Sequence, residues 1–218
     1  MNRYLLSFSF LFFLACTNEE TPLTDPIEDR KIYTVEVAFN WRAEQLPSSI
    51  GEFPDGAHFS PVIGAIHTEG NGFFEKGGSS SAGMEAMAET GATTILSQEI
   101  EAQVATGEAL TLFATQTGSK AIQAIEITDI NAQDKFVFLS LVSMIAPSPD
   151  WFVALQNIPL KDANGNWLDR IEVPLRNLDA GTDSGAVFTA ANLNTDPKGR
   201  IEAFADGVSL GKVVIRKQ

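Results

Sequence analysis

Residues 136–155 read FVFLSLVSMIAPSPDWFVAL, and this stretch decides the class of fold. Phe136 to Ile145 is apolar at both alternating sets of positions, and only two serines interrupt it. A strand that is apolar on both faces belongs in the middle of a sheet that is covered on both sides. The Pro-Ser-Pro-Asp sequence then breaks the run, and a second apolar run begins at Trp151. We therefore predict two buried strands joined by a stiff acidic turn.

The rest of the chain carries similar strand signals on either side of this stretch. Tyr33, Val35, Val37 and Phe39 alternate with Thr34, Glu36, Ala38 and Asn40, the period of a strand with one buried face. Further short strands, bounded by Gly, Pro, Asn or Asp, are predicted over residues 110–115, 121–130, 167–173, 186–190, 201–205 and 212–216. This spacing is typical of a β-sandwich or a barrel.

One segment has helical periodicity instead. Leu96, Ile100 and Val104 recur every four residues between Thr93 and Thr106, which predicts a short amphipathic helix. Met84 to Glu89 suggests one further helical turn before it.

The first sixteen residues predict an exported protein. Arg3 precedes an apolar run from Leu5 to Ala15, which has the length of a signal peptide and is short for a membrane span. The run ends in Phe13-Leu14-Ala15-Cys16, which resembles the lipobox of bacterial lipoproteins. We predict a lipoprotein signal peptide over residues 1–15 and lipidation of Cys16. An ordinary signal peptide with an incidental cysteine is the alternative. Cys16 is the only cysteine, so an intramolecular disulfide is excluded.

Residues 16–31 are rich in Thr, Pro and acidic side chains, which predicts a flexible tether before a single domain over residues 32–218. Acidic residues directly after the cysteine also resemble the surface-export signals of some outer-membrane lipoproteins, although a solvated linker explains them equally. We expect a lipid anchor in the outer membrane, with the face it occupies left open. The formal net charge of -13 argues against nucleic-acid binding.

Two acidic loops supply candidate metal ligands. The first presents Asp150 from the proline-stiffened turn, and the second reads Asp179-Ala180-Gly181-Thr182-Asp183-Ser184-Gly185. The glycines of the second favour a tight loop over a helix. Calcium prefers oxygen ligands from carboxylates, backbone carbonyls and water, and three aspartates on two loops suit that preference. Gly-Asp loops are nevertheless commonly turns whose side chains bond their own backbone.

The motifs together resemble the spondin N-terminal domain family, whose animal members include F-spondin and mindin. The residues that occur in the family's order are Trp41, His58-Phe59-Ser60-Pro61, His67, Pro147 to Trp151, Trp167 and the loop 179–185. The resemblance extends from about Ile32 to the end of the sequence. It implies an all-β fold, an antiparallel β-sandwich of about eight strands related to C2-type sandwiches, here with one short helix. It also implies one calcium ion held by Asp150, Asp179 and Asp183. Animal members carry cysteines here and thrombospondin-type repeats elsewhere, and this sequence has neither, so their partners are not carried over.

Other motifs receive simpler interpretations. Residues 162–166 begin like an EF-hand loop, but Trp167 stands where that loop requires glycine, so Asn164-Gly165 is read as a hairpin turn. His58 and His67 leave a zinc site open, although core or hydrogen-bonded histidines are commoner. The Gly-x-Ser-x-Gly spacing occurs once, at residues 207–211, but this stretch leads into a predicted strand, whereas a nucleophile elbow leads into a helix, so no elbow is predicted. Trp41, Trp151 and Trp167 are read as core residues rather than as a sugar-stacking face.

We therefore predict a calcium-binding adhesion or ligand-binding module and not an enzyme. Calcium would join loop 147–151 to loop 179–185, whose three carboxylates otherwise repel one another. The expected partner is a protein or glycan at the cell surface. The alternatives are a structural subunit of a surface assembly and a calcium-supported hydrolase acting on glycans or lipids.

Overall fold

The computed structural model describes residues 30–218, in which twelve strands and two α-helices are found. The strands are β1 Lys31–Asn40, β2 His58–Phe59, β3 Ile63–His67, β4 Ala109–Ala114, β5 Ser119–Lys120, β6 Ile122–Ala132, β7 Phe138–Ala146, β8 Trp151–Pro159, β9 Arg170–Pro174, β10 Arg176–Asp179, β11 Glu202–Ala203 and β12 Gly211–Lys217. The helices are α1 Ala82–Thr90 and α2 Thr94–Thr106, and Ser48–Ile50 forms a short 3-10 turn. The predicted all-β sandwich is confirmed. The further helical turn suggested by Met84 to Glu89 is part of a second helix, α1.

The strands form two antiparallel sheets. The smaller sheet has the order β6-β1-β12-β9, and the larger runs β11-β10-β8-β7. Beyond β7, the larger sheet divides, because β7 pairs with β2 near its end and with β3 along most of its length. β5 and β4 extend these two branches. The strand order places β8 and β10 side by side, which matters for the acidic loops.

The main core fills the space between the two sheets. The alternation in β1 buries Tyr33, Val35 and Val37 on one face, as the sequence predicts. In β12, Ile215 and Val213 lie opposite Val35 and Val37 and point into the same core. This core holds the smaller sheet against the larger one through apolar burial.

Strand β7 is covered on both faces, which confirms the prediction made from residues 136–145. Leu141 and Ile145 face the core between the sheets. Val142 and Met144 face a second core, which the two helices cover. The helices contribute buried apolar side chains to this core: Met84, Met87, Leu96 and Ile100.

The strand predicted over residues 186–190 is wrong, because this segment is a loop. Its apolar signal comes from Phe188, which is buried against the rings of Trp41 and Trp151. One buried aromatic residue in a loop was therefore misread as part of a short apolar strand. Strands β2, β3, β5 and β10 were not predicted.

The interpretation of residues 162–166 as a hairpin turn is confirmed. Lys161 and Trp167 form an antiparallel bridge, and the Gly165 N–H donates to the Asp162 carbonyl at 3.0 Å. The Asp162 side chain accepts hydrogen bonds from the backbone N–H groups of Asn164 and Asn166, so it stabilises the turn.

The predicted signal peptide and Cys16, together with nearly all of the predicted tether, lie outside the described residues. Among the helices within residues 30–218, none combines the length and the apolar character needed to cross a bilayer.

Candidate metal centre

The two acidic loops meet at one end of the larger sheet. The first loop joins β7 to β8, and the second follows β10, which pairs with β8 so that Asp179 lies opposite Trp151. The Ala180 N–H donates to the Asp150 carbonyl at 3.1 Å and ties the loops together. The structure therefore brings together the loops that the sequence singled out.

Asp150 is fully buried at the centre of this arrangement. Its Oδ2 accepts hydrogen bonds from the backbone N–H groups of Thr182 at 2.7 Å and Asp183 at 3.0 Å. The Thr182 hydroxyl adds a third at 3.3 Å. Its Oδ1 is buried with no hydrogen-bond partner among the described residues. One oxygen thus holds the second loop, and the other remains an unused acceptor.

Asp179 and Asp183 belong to the second loop and lie close to Asp150 of the first. Asp179 accepts from the Trp151 indole N–H at 3.2 Å and from the Gly181 N–H at 2.8 Å. Asp183 accepts from the N–H groups of Gly185 at 2.6 Å and Leu193 at 2.8 Å. These bonds give the loop its shape, and each carboxylate oxygen keeps a lone pair beyond them.

The electrostatics disfavour three negative charges here. Burial, with a smaller contribution from the Asp179 charge, raises the pKa of Asp150 to about 6, although the hydrogen bonds from loop N–H groups oppose the rise. Burial and the charge of Asp183 also raise the pKa of Asp179. No Lys or Arg within residues 30–218 forms an ion pair with any of the three. As pH rises through about 6, the metal-free protein therefore acquires an unfavourable buried charge at Asp150.

A small cavity adjoins Asp183 and introduces a residue that the sequence did not suggest. The cavity, of about 180 Å³, is also lined by Ser148 and by Glu89 of α1. Glu89 Oε1 is buried without a hydrogen-bond partner in the described part of the chain. Glu89 lies far from both loops in sequence, so no local motif could have indicated that it approaches them.

The donors fit calcium in kind. Carboxylate oxygens, an unpartnered buried acceptor and loop carbonyls are the groups that this ion prefers. In their present positions, however, no three His, Cys, Asp or Glu side chains of residues 30–218 converge as a ready-made ligand set. The carboxylates cap loop N–H groups, so ion binding would require them to move toward one another.

The sequence is similar to a known family and to proteins that contain a domain of this family. The sequence model of the Spondin_N family matches residues 31–209, a range that includes both acidic loops. The chain belongs to this family. Mouse Spondin-1 is 29% identical over 199 residues, which are 84% of this chain and 24% of Spondin-1. Human Spondin-2 is 30% identical over 169 residues, 76% of this chain and 50% of Spondin-2. The chain thus matches half or less of the length of these relatives.

The two histidines of this spondin domain are far apart. His58 pairs with Ala146 and His67 with Phe138, eight positions along β7, which corresponds to about 26 Å. Sharing one zinc ion is therefore excluded. His67 does lie beside a serine, with its Nε2 2.9 Å from Ser140 Oγ. Both residues are fully buried, so this pair is part of the core and is closed to a substrate.

The tryptophans of the spondin domain behave as core residues. Trp41 and Trp151 are buried, and Trp167 packs partly exposed against Tyr33. Trp151 has an additional role, since its ring stacks on Phe204 at 4.0 Å while its N–H reaches Asp179.

Proposed function

We propose that this spondin domain is a calcium-stabilised adhesion or ligand-binding module and not an enzyme. The observation that carries the proposal is Asp150. It is fully buried, it has one oxygen without a partner, and no protein cation among the described residues balances it or its two neighbours. A divalent cation would remove all three difficulties at once.

Asp150, Asp179 and Asp183 would hold the ion, with Asp150 Oδ1 as the acceptor already free. Glu89 would add an oxygen from the helix side of the cavity. Bound calcium would supply positive charge that offsets the repulsion between the carboxylates. The loops at this end of the sandwich would then keep one conformation and present a defined surface.

The binding role draws support from the family. The relatives are Spondin-1 and Spondin-2, and the buried Ser140–His67 pair offers no nucleophile to a substrate. We further propose export by a signal peptide over residues 1–15, a lipid anchor at Cys16 in the outer membrane and a tether over residues 16–31. The partner would be a protein or glycan at the cell surface.

Calcium titration of the purified, chelator-stripped protein tests the proposal, with calorimetry for stoichiometry and thermal melting for stability. We expect one ion per chain. At calcium about a hundredfold above Kd, the gain in unfolding free energy should be about 2.7 kcal/mol. Asp150→Asn keeps an acceptor for the Thr182 and Asp183 N–H groups but removes one charge. It should melt at or above the wild-type temperature in chelator, because the unfavourable buried charge is gone, and lose most of the gain in calcium.

Asp55→Asn is the matched control, because it removes an exposed carboxylate that has no partner among the described residues. This variant should keep the full calcium response. Equal calcium responses of Asp150→Asn and the wild type would refute the assignment of the site, and no binding at millimolar calcium would refute the role of the ion altogether.

A further inference from the structure

A second cavity lies at the exposed edge of β10, apart from the candidate metal centre. We name it the β10 cavity: about 320 Å³ between β10, the segment 203–209 and Lys76. β11 pairs with β10 only at Leu178 and Asp179, so the preceding part of β10 borders the cavity. Its volume lies at the lower end of the range for small-molecule sites, which begins at about 300 Å³.

The walls of the β10 cavity are fixed by hydrogen bonds. The Phe204 N–H donates to the Asn177 carbonyl at 3.0 Å, and the Asn177 side-chain NH2 donates to the Val208 carbonyl at 3.1 Å. Lys76 is placed by its neighbour Gly77, whose N–H donates to the Ile201 carbonyl at 2.7 Å. The segments that line the cavity are therefore held in place by hydrogen bonds between them.

Asn177 lines the cavity and has a side-chain oxygen that accepts no hydrogen bond from the described part of the chain. This residue is 4% exposed. Its Oδ1 is buried and has no partner among residues 30–218. A buried acceptor without a donor is costly to the folded state, and a small shift of the side chain would offer it to a hydroxyl or N–H in the cavity.

The charge of the cavity is opposite to that of the whole protein. Lys76 and Arg176 are exposed, and neither forms an ion pair or a hydrogen bond with another described side chain. Asp206 is the single carboxylate of the lining, which leaves one positive charge in excess. In a chain of net charge -13, unpaired cations beside a cavity favour an anionic ligand.

We infer that the β10 cavity binds a small hydroxylated carboxylate, the chemistry of an acidic sugar unit in a glycan. Its carboxylate would pair with Arg176 and Lys76, because guanidinium and ammonium groups form strong charge-assisted hydrogen bonds with carboxylates. One hydroxyl would donate to Asn177 Oδ1 and another to Asp206. The C–H face would pack on the apolar wall that includes Phe204. This inference rests on the ligand-binding half of the proposed function and is independent of calcium.

The test measures binding of D-glucuronate to the whole purified protein by ligand-observed NMR, with D-glucose and acetate as matched probes. Glucose keeps the hydroxyls without the carboxylate, and acetate keeps the carboxylate without the hydroxyls. We expect saturable binding of glucuronate and about tenfold weaker binding of each of the other two. Arg176→Gln and Lys76→Gln should each weaken glucuronate binding by about tenfold. Arg42→Gln, at an exposed arginine outside the cavity, should leave it unchanged.

Three results would overturn the inference: no saturation by glucuronate, equal affinity for acetate and glucuronate, or unchanged binding in Arg176→Gln. The titrations are run both in calcium and in chelator on protein whose calcium-dependent melting is known. Loss of the calcium response with glucuronate binding intact would refute the metal centre alone. The opposite pattern would refute the β10 cavity alone.

Discussion

At the scale of single residues, His67 shows how the sandwich accommodates a buried polar side chain. Its Nδ1 lies 2.8 Å from the Thr68 carbonyl, an acceptor, so Nδ1 carries the proton. Nε2 must then accept from the Ser140 hydroxyl, whose oxygen also accepts from the Asn157 N–H at 2.9 Å. The network is complete with a neutral ring. Burial lowers the pKa of His67, and the bond to Thr68 opposes that effect.

His67 should therefore make stability depend on pH in the acidic range. Its pKa is lower in the folded than in the unfolded state, so its contribution is present above the unfolded pKa of about 6.5 and is lost as pH falls below it. Denaturant melts of wild type and His67→Gln from about pH 8 to 5 should converge as pH falls. Parallel curves would contradict this role. His58→Gln serves as control, because it removes an exposed histidine and leaves His67 in place.

At the scale of secondary-structure elements, the helix pair is joined by one acidic side chain. Glu99 of α2 accepts from the Ser81 hydroxyl at 2.6 Å and from the Gly83 N–H at 2.8 Å. Ser81 is the N-cap of α1 and accepts from the Met84 N–H. Glu99 thus satisfies the start of a neighbouring helix, where a negative charge also complements the helix dipole.

Glu99→Ala should lower the free energy of unfolding by about 1–3 kcal/mol, because it removes two hydrogen bonds to a charged acceptor at a helix start. Glu101→Ala is the matched control on the same helix, since Glu101 is exposed and has no partner among the described residues. Its effect should stay within about 0.5 kcal/mol in urea denaturation. Similar losses in the two variants would show that the hydrogen bonds from Glu99 to α1 contribute no more than an unpartnered carboxylate on the same helix.

These elements also show what the sequence can and cannot predict. Periodicity located β1 and α2, because each buries side chains at regular spacing, and a continuous apolar run located β7. Periodicity missed β10, whose burial pattern in a four-residue strand is too short to have a period. Loop motifs indicated Asp150, Asp179 and Asp183, but their hydrogen bonds to the loop backbone depend on the pairing of β8 with β10. The approach of Glu89 and the formation of the β10 cavity are tertiary events with no local sequence signal.

At the scale of the whole molecule, β12 has a central position in the smaller sheet. It pairs with β1 on one side and β9 on the other, and it buries Val213 and Ile215 in the main core. This strand begins at Gly211, just beyond the residues matched by the family model. The family boundary therefore stops short of a strand that the sandwich needs.

A chain that ends after Ser209 should not fold cooperatively, because β1 and β9 would lose their shared partner and the core would be open to water. We expect no sharp thermal transition and exposed apolar surface, measured by circular dichroism and dye binding. A chain that ends after Lys217 retains β12 and should melt close to the wild type. A cooperative transition in the shorter chain would show that β12 is dispensable.

The pairing of β1 with β12 also determines when the smaller sheet can close during translation. β1 leaves the ribosome first among these strands, and the partner that fills the centre of its sheet is made last. The smaller sheet therefore cannot close until residue 217 has emerged, and most of its contacts join distant parts of the chain. The nascent domain therefore lacks the centre of this sheet until its last strand has been made.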